Sequence, residues 1–181
     1  KVKYMIEPKV SWMCEDENGE LIQLNDWNIK QIYSGYESDI KTIYLWNNKG
    51  DNYDDETNGI DEINHPKVAT MQDVKITIIT NDNESKDVVN RKWIQAKGLT
   101  YGLNEKNKQV QNDSEFTPIG LNSSYTLSAE NVPHGNISGD RNNGTKDDIK
   151  NYAKFQLKCV VPQDAKSATM KAMARIVYFY I

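Results

Sequence analysis

The densest group of carboxylates in the sequence lies in residues 51–62, DNYDDETNGIDE. A calcium loop of the EF-hand type supplies oxygen ligands at alternate positions, with Gly at the sixth position and a bidentate Glu at the twelfth. Counted from Asp54, the candidate metal ligands are Asp54, Glu56, Asn58 and Glu62, and Gly59 stands at the sixth position. His65 occupies the twelfth position, so the bidentate ligand is missing. The pattern therefore favours a solvated acidic turn, with a looser calcium site at these four residues as the alternative.

Other candidate chemistry is weaker. Residues 139–146, GDRNNGTK, resemble a phosphate-binding loop, but Thr precedes Lys and no apolar strand leads into the segment, which favours a Gly/Asn turn. The two histidines, His65 and His134, each stand next to a proline, and no paired Cys or His spacing typical of zinc sites occurs. No catalytic motif is found, so we expect a protein that is not an enzyme, with no catalytic residues.

Aromatic residues offer a second kind of site, because exposed rings can stack on sugars. Trp12, Trp46 and Trp93 fall within apolar strand patterns, which favours core packing. Trp27, in LNDWNIK, lies outside any clean alternation and is the candidate for an exposed ligand-binding contact. A carbohydrate-binding or receptor-binding module is therefore the alternative function.

Composition narrows the classes of partner. The chain has 181 residues and a formal charge of −4, and its lysines do not cluster, which argues against a nucleic-acid surface. No apolar run approaches the length of a membrane span and the start has no signal-peptide pattern, so we expect no membrane partner. Cys14 and Cys159 both lie in apolar alternations, which favours two buried thiols over a disulfide.

Alternating apolar and polar residues predict the elements that would hold any such site. The clearest strand is NYAKFQLKCVV, residues 151–161, and the last strand, residues 172–181, is predicted to be buried on both sides, with a helix over 164–174 as the alternative. Glu17-Asn18-Gly19 predicts a tight turn between strands at 9–14 and 20–24. Further strands are predicted at 39–47, 71–80, 88–96 and 123–132.

About eight short strands without a long helix predict an all-β fold, an antiparallel β-sandwich of immunoglobulin-like or jelly-roll-like order. The two polar segments at 47–66 and 104–151 are predicted to be long loops, with a hairpin or inserted arm inside 104–135. Neither segment has the composition of a flexible linker, so we expect one domain over residues 1–181.

The closing segment YAKFQLKCVVPQDAKSATMKAMARIVYFYI resembles the last hairpin of small immunoglobulin-like sandwich domains. The chain also holds 20 Asn, 19 Lys and 17 Ile, a bias typical of AT-rich coding. Together with IYLWNNKGD, these features resemble in type the virion structural proteins of phages that infect low-GC bacteria, such as auxiliary head (decoration), head-tail or baseplate proteins.

That resemblance implies a non-enzymatic component of the virion, assembled in the bacterial cytoplasm, with other virion proteins or copies of itself as partners in an oligomeric assembly. The run VYFYI carries no polar residue that would blunt a strand edge. We therefore expect that edge to be covered internally or completed by a neighbouring protein.

Overall fold

The computed structural model describes residues 5–50, 65–112 and 114–181 of the chain. In these residues the elements are β1 (Val10–Glu15), β2 (Leu21–Gln23), β3 (Lys41–Asn47), β4 (Gln72–Ile79), a 3-10 turn (Asn83–Ser85), α1 (Lys86–Asn90), β5 (Ile94–Gly98), β6 (Thr117–Pro118), β7 (Tyr125–Thr126), β8 (Tyr152–Cys159) and β9 (Met173–Phe179). The strands form two antiparallel sheets, ordered β2-β1-β3-β8-β5-β6 and β7-β4-β9. The predicted all-β sandwich is confirmed.

The hydrophobic core lies between the two sheets, because successive side chains of a strand point to opposite faces. From the larger sheet, Ile43 and Leu45 of β3 and Phe155 of β8 point inward, and Val74 and Ile76 of β4 meet them from the smaller sheet. All five are at most 3% exposed. The alternation in β8 that the sequence shows is thus the inside-outside alternation of the fold.

The opposite face of the larger sheet carries a second apolar cluster made of Tyr44, Trp46 and Tyr152. The Trp46 and Tyr152 ring centroids are 4.8 Å apart. The segment before β8 is tied to this cluster, since the Tyr152 hydroxyl donates to the Lys146 carbonyl at 2.7 Å. Lys146 Nζ in turn contacts Glu15 Oε1 at 2.9 Å, which fastens the segment to β1.

The hairpin between β1 and β2 forms where the Asn-Gly pair predicts it. Gly19 has φ of +79°, a backbone conformation that costs glycine little. Asp16 Oδ1 accepts hydrogen bonds from the backbone N–H groups of Asn18 and Glu20, both at 2.9 Å. The turn is therefore held both by its glycine and by a local carboxylate.

Two strand predictions were wrong in extent, and the alternative helix does not form. Residues 88–96 do not form one strand, because α1 covers Lys86–Asn90 and β5 begins only at Ile94. In 123–132 only Tyr125–Thr126 is extended in a sheet, and residues 164–174 form no helix. The segment 104–151 also contains β6, so it is divided into short pieces that contact the sheets.

Both cysteines are free and buried, as the alternation predicts. Burial raises the pKa of the Cys159 thiol to about 11. Among the described residues, no helix has the length and apolar character needed to cross a membrane.

Candidate functional site

Strand β9 and the two residues after it hold the largest group of exposed apolar side chains among the described residues. Twelve large hydrophobic residues are exposed, and five of them lie within residues 173–181: Met173, Val177, Phe179, Tyr180 and Ile181. Met173, Val177 and Phe179 are 46%, 50% and 53% exposed and share the outward side of β9. We call Met173, Arg175, Val177 and Phe179 the β9 outer row. Exposed apolar residues grouped on one face, unlike scattered ones, mark sites of interaction.

The prediction that this strand is buried on both sides was wrong. Only Ile176 and Tyr178, on the inward side, pack partly against the core. Burial raises the pKa of the Tyr178 hydroxyl, and the neighbouring Tyr180 and Glu7 add to that shift. The sequence could not distinguish a strand buried on both sides from this one, because the exposed outer face of β9 carries apolar residues of the kind that a buried face carries.

The backbone of β9 also has a free edge among the described residues. Val74 and Ile78 of β4 direct their backbone groups away from β9, because Leu127 N donates to Val74 O at 2.9 Å and Ile78 N to Gly120 O at 3.4 Å. Lys75, Thr77 and Ile79 therefore face β9, where they pair with Val177, Arg175 and Met173.

By the same alternation, the N–H and C=O groups of Ala174, Ile176 and Tyr178 point to the other side of β9. No described strand pairs with β9 on that side. An edge with unpaired N–H and C=O groups is a template for a further strand.

The four sheet edges differ greatly in length. Strands β2, β6 and β7, which end the sheets elsewhere, have three, two and two residues. Strand β9 has seven residues and contains neither a proline nor an acidic residue. Short edge strands and prolines such as Pro118 in β6 discourage unwanted pairing, and β9 has neither protection.

Few charged side chains lie on this face, and those that do are bonded to residues of β4. The Arg175 Nε atom donates to Thr77 Oγ1 at 3.3 Å, and Thr77 is buried at 7% exposure. Lys75 Nζ lies 3.3 Å from Asp73 Oδ2. The guanidinium is therefore drawn toward β4 and away from the free edge.

The predicted metal ligands Asp54, Glu56, Asn58 and Glu62 lie outside the described residues. Within the residues that the structure describes, no group of three or more His, Cys, Asp or Glu side chains could hold a metal ion. Trp27, predicted as an exposed contact, is half-buried and packs against the core, so only part of its ring meets solvent.

Two exposed tyrosines were not predicted from the sequence. Tyr33 and Tyr36 are 70% and 67% exposed. Their turn is fixed to the chain after β8, because Gly35 N donates to Val161 O at 2.9 Å and Val161 N donates to Tyr36 O at 3.0 Å. The turn contains Gly35 with φ of +85°, and the sequence signal that could have found it is YSGY.

The GDRNNGTK segment acts as a structural turn. Asn142 Oδ1 accepts from the backbone N–H groups of Gly50 and Gly144 at 2.8 and 2.9 Å, and its Nδ2 donates to Asn48 O at 2.7 Å. With Asn47, Asn48 and Asn151 it forms a group of buried amides at one end of the sandwich. The sequence shows many asparagines but not which of them are buried.

Comparison with known proteins adds no relative. No protein-family model, no curated protein and no solved structure matches the chain.

Proposed function

We propose that the chain is a non-enzymatic structural component of a phage virion, an auxiliary capsid (decoration) or head-tail protein that acts through protein-protein contacts. The observation that supports this most directly is the β9 edge, where backbone groups without a partner among the described residues lie beside exposed apolar side chains. Proteins that add strands to one another use such edges, because main-chain hydrogen bonds supply affinity and alternate side chains supply specificity.

The fold is compatible with this role. The shallow clefts on the described surface include one of about 350 Å³ lined by Glu15, Thr42, Lys154 and Gln156. Glu15 in that cleft is already paired with Tyr44 and Lys146, and these partners lower its pKa, so it remains an ionised structural group. A general acid would need the opposite shift.

Particles provide the test. Gradient-purified virions from a host that carries the gene should contain the chain, as measured by quantitative mass spectrometry. A Val177→Lys variant adds charge to the β9 outer row and should be depleted from particles. An Ile22→Lys variant provides the matched control, because Ile22 is 46% exposed on the edge strand of the other sheet. Virions that lack the wild-type chain would reject the proposal.

A carbohydrate-binding or receptor-binding module is the second candidate. The exposed Tyr33 and Tyr36, held on a fixed turn, favour it, since aromatic rings with a polar end suit sugar contacts. Glycan-array binding that is lost in a Tyr33→Ala/Tyr36→Ala variant would support this function. Retained binding in that variant would exclude the tyrosine turn as the site.

Calcium dependence of either function can be tested by thermal melting. An ion that binds only the native state raises the melting temperature by mass action. We expect equal melting temperatures in calcium and in EDTA, because position 12 of the acidic loop is His65 instead of the bidentate Glu. A rise of several degrees in calcium would support a calcium site, for which Asp54, Glu56, Asn58 and Glu62 are the candidate ligands.

A further inference from the structure

We propose that β9 pairs with β9 of a second copy of this chain across a twofold axis, which joins two three-stranded sheets into one six-stranded sheet. The inference rests on the proposed function, since it names a partner for the same surface. A strand is the occupant that fits, because the free edge offers N–H and C=O groups at two-residue spacing.

The direction of these backbone groups limits the register. Only Ala174, Ile176 and Tyr178 point to the free edge, so the hydrogen-bonded pairs between the copies must join members of this set. Three antiparallel registers keep twofold symmetry near the middle of the strand, and their axes pass residue 175, 176 or 177.

Charge selects among the three registers. An axis at Arg175 places the two Arg175 positions directly opposite each other, so their like charges lie closer together than in the other two registers, which is destabilising. An axis at Val177 leaves Met173 and Ala174 without partners inside β9. An axis at Ile176 pairs all seven residues of the strand and places Arg175 opposite Val177 of the second copy.

The register centred on Ile176 is also complementary in size. On the inward side it sets Ala174 opposite Tyr178, a small residue against a large one, with Ile176 against its own copy. On the outward side it sets Met173 opposite Phe179, which are 46% and 53% exposed in the single chain. Such cross-strand pairs are the unit of sheet stabilisation.

The position of the Arg175 side chain is compatible with the pairing. Arg175 Nε is bonded to Thr77 Oγ1 at 3.3 Å, so the side chain leans over β4 of its own sheet instead of toward the axis. No acidic residue lies in β9, so the strand itself brings no carboxylate to the interface.

The oligomeric state of the full chain tests the inference. Light scattering after size exclusion and sedimentation equilibrium should give twice the chain mass for the wild type. Val177→Lys should yield a folded monomer, with the affinity between the copies weakened by about tenfold or more, because the new lysine faces Arg175 of the other copy. Ile22→Lys should remain dimeric.

A charge exchange makes the register falsifiable. In the variant Arg175→Glu/Val177→Lys, the Ile176-centred register sets each Glu opposite a Lys, and the dimer should return. An axis at 175 would oppose two glutamates and an axis at 177 two lysines, so neither would be rescued. A wild type that is monomeric at all concentrations would overturn the inference, as would a folded double variant that stays monomeric.

Failure of this inference can be distinguished from failure of the proposed function. If the wild type is monomeric and the Val177→Lys variant is lost from virions, self-pairing is overturned. The virion role then stands, with a strand of another protein as the partner of β9. A dimer that Val177→Lys dissociates, together with virions that lack the chain, supports self-pairing and removes the virion role.

Discussion

At the scale of single residues, the buried amide of Asn142 shows how the polar segments are held without apolar packing. Its side chain makes four hydrogen bonds to the backbone of Asn48, Gly50, Asp140 and Gly144, at 2.7 to 3.1 Å. It is only 9% exposed. Buried backbone groups that lose a partner each cost roughly 1–3 kcal/mol.

We expect Asn142→Ala to lower the free energy of unfolding by at least about 2 kcal/mol, because several buried groups lose partners together. Urea denaturation would show a lower midpoint at an unchanged slope. Asn122→Ala is the matched control, since Asn122 is exposed, and it should change the midpoint little. Equal effects of the two variants would contradict a structural role for Asn142.

Glycine at 144 is required for space as well as for conformation. A Cβ atom there would lie 1.8 Å from the Gly50 carbonyl oxygen, whereas at Gly19 the nearest atom would be Lys146 Nζ at 3.8 Å. The two residues have similar φ, +75° and +79°. Gly19→Ala should therefore cost about 1 kcal/mol from backbone strain alone. Gly144→Ala should lower the free energy of unfolding clearly more, and calorimetric unfolding of both variants would measure the difference. Equal losses would show that the backbone near Gly50 relaxes freely.

At the scale of elements, Asp82 caps the 3-10 turn Asn83–Ser85 that leads into α1. Its Oδ1 accepts from Glu84 N at 3.4 Å and its Oδ2 accepts from Ser85 Oγ at 2.6 Å. Ser85 Oγ in turn accepts from Lys171 N at 2.7 Å, which ties the helical turn to the segment before β9. The carboxylate thus organises two segments that are distant in sequence.

Asp82→Ala should destabilise the protein by about 1 kcal/mol, the usual effect of losing a capping acceptor. Asp82→Asn keeps an acceptor oxygen and should lose much less, as measured by chemical denaturation. A loss for Asn as large as that for Ala would mean that the charge of Asp82, and not its hydrogen bonds, stabilises this turn.

The sequence predicts an element only where the residues of that element carry a local signal. Strand β8 and the β1–β2 hairpin were predicted because strict alternation and an Asn-Gly pair are local signals. Strands β6 and β7 have two residues each, too few to show a period. Val88 and Val89 favour a strand by propensity, but both are buried in α1, where tertiary packing overrides that preference.

The candidate site was predicted only in part. The run VYFYI indicated an edge that requires a partner, and the structure places β9 at the edge of the smaller sheet. That the outer row is exposed depends on which strands lie over it, which is a property of the whole chain. Trp27 packs partly against the core although it lies outside any strand pattern, and its role as a ligand contact stays a prediction.

At the scale of the whole molecule, ion pairs fasten segments that are far apart in the chain. Glu15 in β1 accepts a hydrogen bond from the Tyr44 hydroxyl and contacts Lys146 Nζ at 2.9 Å. These two partners, Tyr44 first, lower the pKa of the Glu15 carboxyl below its ordinary value of 4.5. Lys67, at 2.7 Å, likewise lowers the pKa of Asp140 below 3.8.

A carboxyl whose pKa is lower in the folded state binds fewer protons there than in the unfolded chain. Its stabilising contribution is complete above the unfolded pKa and is lost as the pH falls through the folded value. The melting temperature should therefore begin to fall as the pH drops past 4.5, where Glu15 of the unfolded chain takes up a proton, and should fall further below 3.8, where Asp140 of the unfolded chain does the same.

The Glu15→Gln variant isolates one contribution to this acid sensitivity. At neutral pH the variant should melt at a lower temperature than the wild type, because it loses the carboxylate that holds Tyr44 and Lys146. The difference should shrink as the pH falls below 4.5, since protonation removes the same charge from the wild type. Glu17→Gln, at an exposed position of the same hairpin turn, should give no such convergence. A difference between Glu15→Gln and wild type that stays constant down to strong acid would show that Glu15 stabilises the fold by packing and not by its charge.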